Sequence, residues 1–235
     1  MKLSSDEQKQ LVGYRAADEQ VGDRMRVGLG TGSTAIHAVR RVGQRLAAGE
    51  LHDVVAVPTS RQTRLECFAL GIPVADLEDP RIDGTLDVVI DGADEFDPEH
   101  RLIKGGGAAH TLEKIIAYAA DRFVVVVDAS KRVTRLGERY PVPVEVIPAA
   151  LVPFLRNAVA LGARPVLREA KAKIGPVISE HGNLIVDLHF AAAFDPHDVA
   201  RQLAEQPGVV EHGLFLRGRP VVYIAADDGT VQRED

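Results

Sequence analysis

Cysteine, tryptophan and methionine are scarce in this chain. Its 235 residues include one cysteine, no tryptophan and two methionines. The single cysteine, Cys67, excludes an internal disulfide framework and fits a reducing compartment. It sits in the helical run Arg64-Leu65-Glu66-Cys67-Phe68-Ala69-Leu70, where a free thiol packs as a small hydrophobe. No apolar run approaches the ~20 residues that span a bilayer. The start, MKLSSDEQKQ, is too polar and acidic for a signal peptide, so a cytoplasmic location is expected, with no membrane partner. Basic excess is missing too. The net charge is −6, which argues against sequence-independent binding to nucleic acid.

What is present is ordinary for a globular protein: 46% hydrophobic and 26% charged residues. The length suits one large domain or two modest ones. Ser4-Ser5-Asp6-Glu7 reads as a capping box opening a helix to about 18. Strands are expected at 25–29, 54–57, 86–90 and 123–127, with helices at 33–46, 62–70 and 111–120 between them. Ala35, Ile36, Val39, Val42 and Leu46 follow helical spacing. Alternating strands and helices, with strands that are continuous apolar runs, predict a parallel sheet covered on both faces.

After about Leu136 the pattern becomes α+β. A proline-bearing strand is expected at 142–146 and a helix at 149–161. Strands at 174–179 and 184–190 flank the hairpin signal His181-Gly182-Asn183. Asp195-Pro196 opens a helix to about 205. The expected organisation is therefore an α/β domain at 1–136 plus 218–235, and a smaller α+β domain at 137–217.

The stretch Asp91 to Glu113, DGADEFDPEHRLIKGGGAAHTLE, carries the most chemistry. It holds a cluster of three acids in five residues (Asp91, Asp94, Glu95), Lys104, the triple glycine Gly105-Gly106-Gly107, and Glu113 at a helix start. Ligands of open α/β sheets bind beyond the carboxyl ends of strands, where Asp91-Gly92-Ala93-Asp94 falls. A solvated turn is the plainer reading of a D-G dipeptide. Three glycines in a row suggest close backbone approach to a ligand. Lys104 can sit beside a developing oxyanion. Glu113 reads either as a partner of the helix dipole or as a base.

A second glycine-rich turn, Gly28-Leu29-Gly30-Thr31-Gly32-Ser33-Thr34, joins a strand to a helix. It reads as a phosphate cradle or as a tight turn with Ser33 as N-cap. It lacks the third glycine of a dinucleotide fingerprint and the lysine of a P-loop. Lys131, in Asp128-Ala129-Ser130-Lys131, could hold a phosphate or be an exposed helix-start lysine; Lys9 ranks as surface. The acid spacing does not match an EF-hand, and His100 and His110 form no recognisable zinc pair, so no metal site is expected.

Together, GLGTGST (28–34), DGADE (91–95), KGGGAA (104–109), TLEKIIA (111–117) and DASK (128–131) resemble the type A ribose-5-phosphate isomerases. PVEVIP (143–148) and PGVVEHGLF (207–215) resemble later segments of that family. The resemblance runs in order over essentially the whole chain. It implies a Rossmann-like domain with a ferredoxin-like lid, in a homodimer or a tetramer of dimers. It implies interconversion of ribose 5-phosphate and ribulose 5-phosphate without metal or organic cofactor. It places Glu113 at the catalytic base, and Asp91, Asp94 and Lys104 at active-site acids and lysine. Thr31, Gly32, Ser33 and Thr34, Asp91, Gly92, Ala93 and Asp94, and Lys104 with Gly105, Gly106 and Gly107 match substrate-binding runs. Lys131 and Lys9 match lysines of the substrate site. The rival readings are a sugar-phosphate sensor, a CoA-transferase-like enzyme with an attacking glutamate, and a metal-dependent isomerase. A sensor would bring a basic helix-turn-helix segment, for which the chain has no spare stretch.

Overall fold

The structure is a computed structural model and describes residues 3–172, 174–226 and 228–235. Helix α1 (Ser5–Gln20) is followed by β1 (Arg26–Leu29), α2 (Ala35–Ala47), β2 (Val55–Pro58), α3 (Arg61–Ala69) and β3 (Val88–Asp91). Two short strands, β4 (Glu95–Phe96) and β5 (Leu102–Ile103), precede α4 (His110–Tyr118) and β6 (Phe123–Asp128). Then come β7 (Val142–Val146), α5 (Leu151–Ala160), β8 (Ala163–Leu167), β9 (Leu184–Phe190) and α6 (Pro196–Ala204). The chain closes with β10 (Val209–His212), β11 (Leu214–Phe215), β12 (Val221–Ala225) and β13 (Val231–Glu234).

These elements form two compact units. The first comprises Met1–Ala93, Leu112–Lys131 and Gly218–Asp235; the second comprises Asp94–Thr111 and Arg132–Arg217. This differs from a first domain running unbroken to 136. Residues 94–111 go with the second unit because β5 pairs with both β4 and β11, so the short three-stranded sheet is built there.

In the first unit the sheet order is β13-β12-β6-β3-β1-β2, parallel except for β13. Alternation along the strands decides which helix covers which face. Val27 and Leu29 of β1, with Val88 and Ile90 of β3, share a core with Val12, Ala16 and Ala17 of α1 and with Ala38, Val39 and Val42 of α2. Gly28 points the other way; a Cβ there would lie 2.6 Å from Val89 and 2.8 Å from Ile116 of α4. Helix α1 begins with the expected capping box, in which Glu7 N–H donates to Ser4 Oγ and Ser4 N–H to Glu7 Oε2. Such a cap stabilises a helix by about 1 kcal/mol.

The second unit carries an antiparallel sheet ordered β10-β7-β9-β8. Connected β7-α5-β8-β9-α6-β10, it is the split βαβ arrangement of ferredoxin-like folds. Its core holds Val142, Val144 and Val146 of β7, Phe154 and Ala158 of α5, Val186 and Leu188 of β9, and Val199 and Leu203 of α6. The expected strand at 174–179 is absent as a strand. Only isolated bridges, Glu169 with Pro176 and Ile178 with Leu184, join that segment to its neighbours. Pro176 has no N–H to give a ladder, and Gly175 takes φ +103°. The partner of β9 on that side is instead β8, a half-exposed edge strand containing Pro165.

Candidate active site

The residues singled out by sequence fall in both units. Lys9, residues 31–34, residues 91–93, Glu113 and Lys131 belong to the first; Asp94 and residues 104–107 belong to the second.

In the first unit, β2 lies on one side of β1 while β3, β6 and β12 run outward on the other. The strand order therefore reverses between β1 and β3, the place where doubly wound sheets bind ligands. The loop leaving β1 is tied there to the end of β3. Gly30 N–H donates to Ile90 O at 2.9 Å, and Thr31 N–H to Asp91 Oδ1 at 3.1 Å. Asp91 Oδ1 also accepts Gly92 N–H at 2.7 Å, and the side chain is buried. Gly30 is obligatory, since a Cβ would lie 2.1 Å from Asp91 Oδ1. Gly32, at φ +103° with open space around it, turns the chain into α2.

The hydroxyls of the loop are divided in use. Thr31 Oγ1 donates to Ser60 Oγ at 2.6 Å and lies 2.8 Å from Thr59 Oγ1 and 3.2 Å from Thr63 Oγ1. Thr63 Oγ1 in turn donates to Gly30 O at 2.8 Å. This cluster buttresses the loop from behind. Sequence reading missed Thr59, Ser60 and Thr63, because their only local signal is Ser60 capping α3 through Thr63 N–H. The expected Ser33 N-cap is not formed. Thr34 occupies the cap with helical backbone angles and no side-chain cap bond, and Ser33 is exposed.

Glu113 is in the first turn of α4 and only 4% exposed, so the reading as a solvated dipole partner does not hold. Lys131 ends a short 3-10 turn, Ala129–Lys131, after β6, and is half-buried. Lys9 is half-buried on α1, close enough to His37 to add, behind burial and beside Arg40, to the lowering of that imidazole's pKa.

In the second unit, Asp94 N–H pairs with Ile103 O at 2.8 Å, and its Oδ2 accepts Gly106 N–H at 2.8 Å. Lys104 is buried, with Nζ 5.5 Å from the ring centroid of Phe215 on β11. Gly105 takes φ +111° and packs against His110; a Cβ on Gly106 would lie 2.6 Å from Asp94 Oδ1 and 2.8 Å from the Tyr140 hydroxyl. Ala108 is left-handed at φ +60°, a strained backbone of the kind found at ligand-holding loops. Arg168 donates to both Gly105 O and Gly106 O. Burial and the charge of Asp94 raise the pKa of Tyr140, keeping its hydroxyl protonated.

The carboxylate cluster read from sequence separates in space. Glu95 is buried and accepts the N–H groups of Gly137, Arg139 and Tyr140 at 2.6–2.7 Å, which makes it an anchor for that loop. Glu145 on β7, fully buried and unmarked in sequence, accepts from Thr111 of α4, from Ser179 Oγ at 2.6 Å and from Asn183 Nδ2 at 2.8 Å. Among the described residues no group of three or more His, Cys, Asp and Glu is arranged to hold a metal ion, and no helix is long and apolar enough to cross a membrane.

The model of the family ribose 5-phosphate isomerase A (phosphoriboisomerase A) matches residues 55–229. Ribose-5-phosphate isomerase A of Treponema denticola is 44% identical, covering 98% of this chain and 99% of its own. That of Haloarcula marismortui is 48% identical, covering 97% and 96%. A D-ribose-5-phosphate isomerase solved with phospho-erythronic acid superposes with a TM-score of 0.94 at 40% identity, covering 99% of this chain and all of the other. The isomerase A of Methanocaldococcus jannaschii gives 0.90 at 38% identity, covering 98% of this chain. The relatives cover nearly the whole of this chain, and the chain belongs to the type A ribose-5-phosphate isomerase family.

Proposed function

We propose that this chain interconverts D-ribose 5-phosphate and D-ribulose 5-phosphate, the isomerisation of the non-oxidative pentose phosphate pathway. The observation that carries the reading is a buried carboxylate, Glu113, held in the first turn of α4 in a chain of this family. Glu113 removes the C2 proton of the open-chain aldose and returns it to C1, passing through a cis-enediolate. Burial and fixed geometry suit a carboxylate to act as such a base. Lys104 and N–H groups of the glycine loop stabilise the enediolate oxygen. Asp91 or Asp94 moves the hydroxyl proton between O2 and O1 and assists ring opening. Ser33, Thr34, the N–H groups of residues 32–34, Lys131 and Lys9 hold the 5-phosphate. Anchoring that non-reacting group supplies binding energy that positions the reacting carbons. The reaction needs no cofactor or metal in this scheme. Phospho-erythronic acid, bound by a relative, supports it, since a planar carboxylate matches the enediolate in shape and charge.

The first unit is read as the phosphate-holding and base-bearing part. The second, read from sequence as a lid and oligomerisation domain, also supplies Asp94 and Lys104. A cytoplasmic homodimer, or a tetramer of dimers, is the assembly proposed; exposed Val152 and Val159 on α5 support burial against another copy. The test of function is conversion of ribose 5-phosphate by purified protein in excess EDTA, with Glu113→Gln beside it. Wild type is expected to turn over, and the variant to lose about 10²–10⁴ in kcat while still binding substrate. Turnover by neither protein overturns the isomerase reading, and near-full turnover by the variant removes Glu113 as base.

A further inference from the structure

The peptide joining Gly105 to Gly106 is held at both ends by charged side chains. Its N–H donates to Asp94 Oδ2 at 2.8 Å, and its C=O accepts from Arg168 Nη1 at 2.8 Å. The same Nη1 donates to the carbonyl of Gly106 at 3.2 Å. In a trans peptide the C=O and N–H point opposite ways, and no cis bond occurs among the described residues. With both carbonyls turned to Arg168, the N–H groups of Gly106 and Gly107 are turned away from it. One is spent on Asp94; the other belongs to an exposed residue.

Arg168 cannot swing. Its Nε donates to Asp187 Oδ2 at 2.8 Å and its Nη2 to Asp187 Oδ1 at 2.5 Å, a two-pronged pair. Each side chain is only 14% exposed. Burying such a pair is costly, and well-packed apolar residues often serve stability as well or better. The carbonyl of exposed Gly106 alone would be satisfied by water. A buried, doubly held guanidinium aimed at two successive carbonyls does something water cannot: it fixes peptide orientation.

We propose that Arg168, locked by Asp187, is a positioning residue for the isomerisation. It sets the glycine loop so that Gly106 N–H fixes Asp94 and Gly107 N–H is presented to the substrate's oxygens. The inference rests on the isomerase reading above. Arg168 touches no reacting atom; it acts through the loop.

The test compares wild type with the double variant Arg168→Met, Asp187→Leu, which removes both charges together and leaves neither buried alone. Three quantities are read: kcat, calorimetric binding of phospho-erythronic acid with its stoichiometry, and competitive inhibition by inorganic phosphate. Expected are a loss of about 10- to 100-fold in kcat and a similar weakening of phospho-erythronic acid at full stoichiometry, as when preorganised donors are lost. Inhibition by phosphate stays within about twofold. A folded double variant with wild-type kcat overturns the proposal. So does equal weakening of both ligands, or a fall in stoichiometry, which marks general loosening. If the double variant does not fold, Arg168→Lys decides by the same split, since an ammonium keeps the charge but cannot serve the carboxylate and two carbonyls together. Wild type that neither turns over nor binds phospho-erythronic acid would defeat the isomerase reading itself, an outcome distinct from either.

Discussion

Thr31 N–H donates to Asp91 Oδ1 over 3.1 Å, joining the loop after β1 to the last residue of β3, 60 residues on in sequence. The bond fixes that loop to the end of β3 at the point where the strand order reverses.

Gly30→Ala tests this junction. The new Cβ would lie 2.1 Å from Asp91 Oδ1 and 2.6 Å from its Cα, so strand end or carboxylate must move. Overpacking of this kind costs about 1–3 kcal/mol. Urea denaturation should show that loss, and steady-state kinetics a clear fall in kcat/KM for ribose 5-phosphate. Unchanged kinetics would show that Asp91 can shift without harm.

Lys131→Ala should act on binding. A charge-assisted hydrogen bond to phosphate contributes about 1.5–3 kcal/mol, so KM for ribose 5-phosphate is expected to rise at least about tenfold with kcat little changed. An unchanged KM takes Lys131 out of the phosphate site.

Glu145 gives a pH signature. Burial pushes its pKa up, but hydrogen bonds from Ser179, Thr111 and Asn183 and the charge of His181 outweigh burial and hold it below the ordinary 4.5. A lowered folded pKa means stability that is fully present above the unfolded value and lost as pH falls through the folded value. Glu145→Gln should therefore cost about 1–3 kcal/mol at neutral pH. In urea titrations stepped downward from neutrality, the gap to wild type should narrow only below about pH 4.5. A gap that stays constant into acid would rule out the buried carboxylate as its source. Thr111 stands two residues before Glu113 on α4, so activity should fall alongside.

Cys67 should be chemically silent. It is fully buried, and burial pushes its thiol up to about 12. Native protein at mildly alkaline pH should resist a disulfide-exchange reagent, and denatured protein should yield one thiol per chain. Rapid labelling of the native form would contradict the packing.

Much of the fold was legible because it rests on local signals. The apolar runs of β1, β3 and β6, the capping box at Ser4 and the Asp195-Pro196 helix start each state their structure within a few residues. What escaped was set by distant partners. Glu95 looked like one more member of an acidic cluster, yet its carboxylate is taken by backbone N–H groups more than forty residues on. Arg168 and Asp187 lie in an unremarkable edge strand region and its neighbour, and gain meaning only from the glycine loop they reach. Thr59 and Thr63 are ordinary helix-start residues until Thr31 is set beside them. The strand expected at 174–179 failed for a local reason, Pro176 beside the left-handed Gly175, while the turn at His181-Gly182-Asn183 formed, with Ser179 N–H donating to Asn183 O at 2.8 Å.

The parallel pairing of β12 with β6 also bears on what a shortened chain would do. Strand β6, with Val124, Val125, Val126 and Val127 all buried, has β3 on one edge and, on the other, β12 from the distant segment Gly218–Asp235. Without that segment an apolar strand keeps one edge bare, the condition under which unfinished chains pair with each other. A frameshift or cut that removes only the final two strands should leave a chain that is insoluble, even though every residue assigned to the chemistry is still in it.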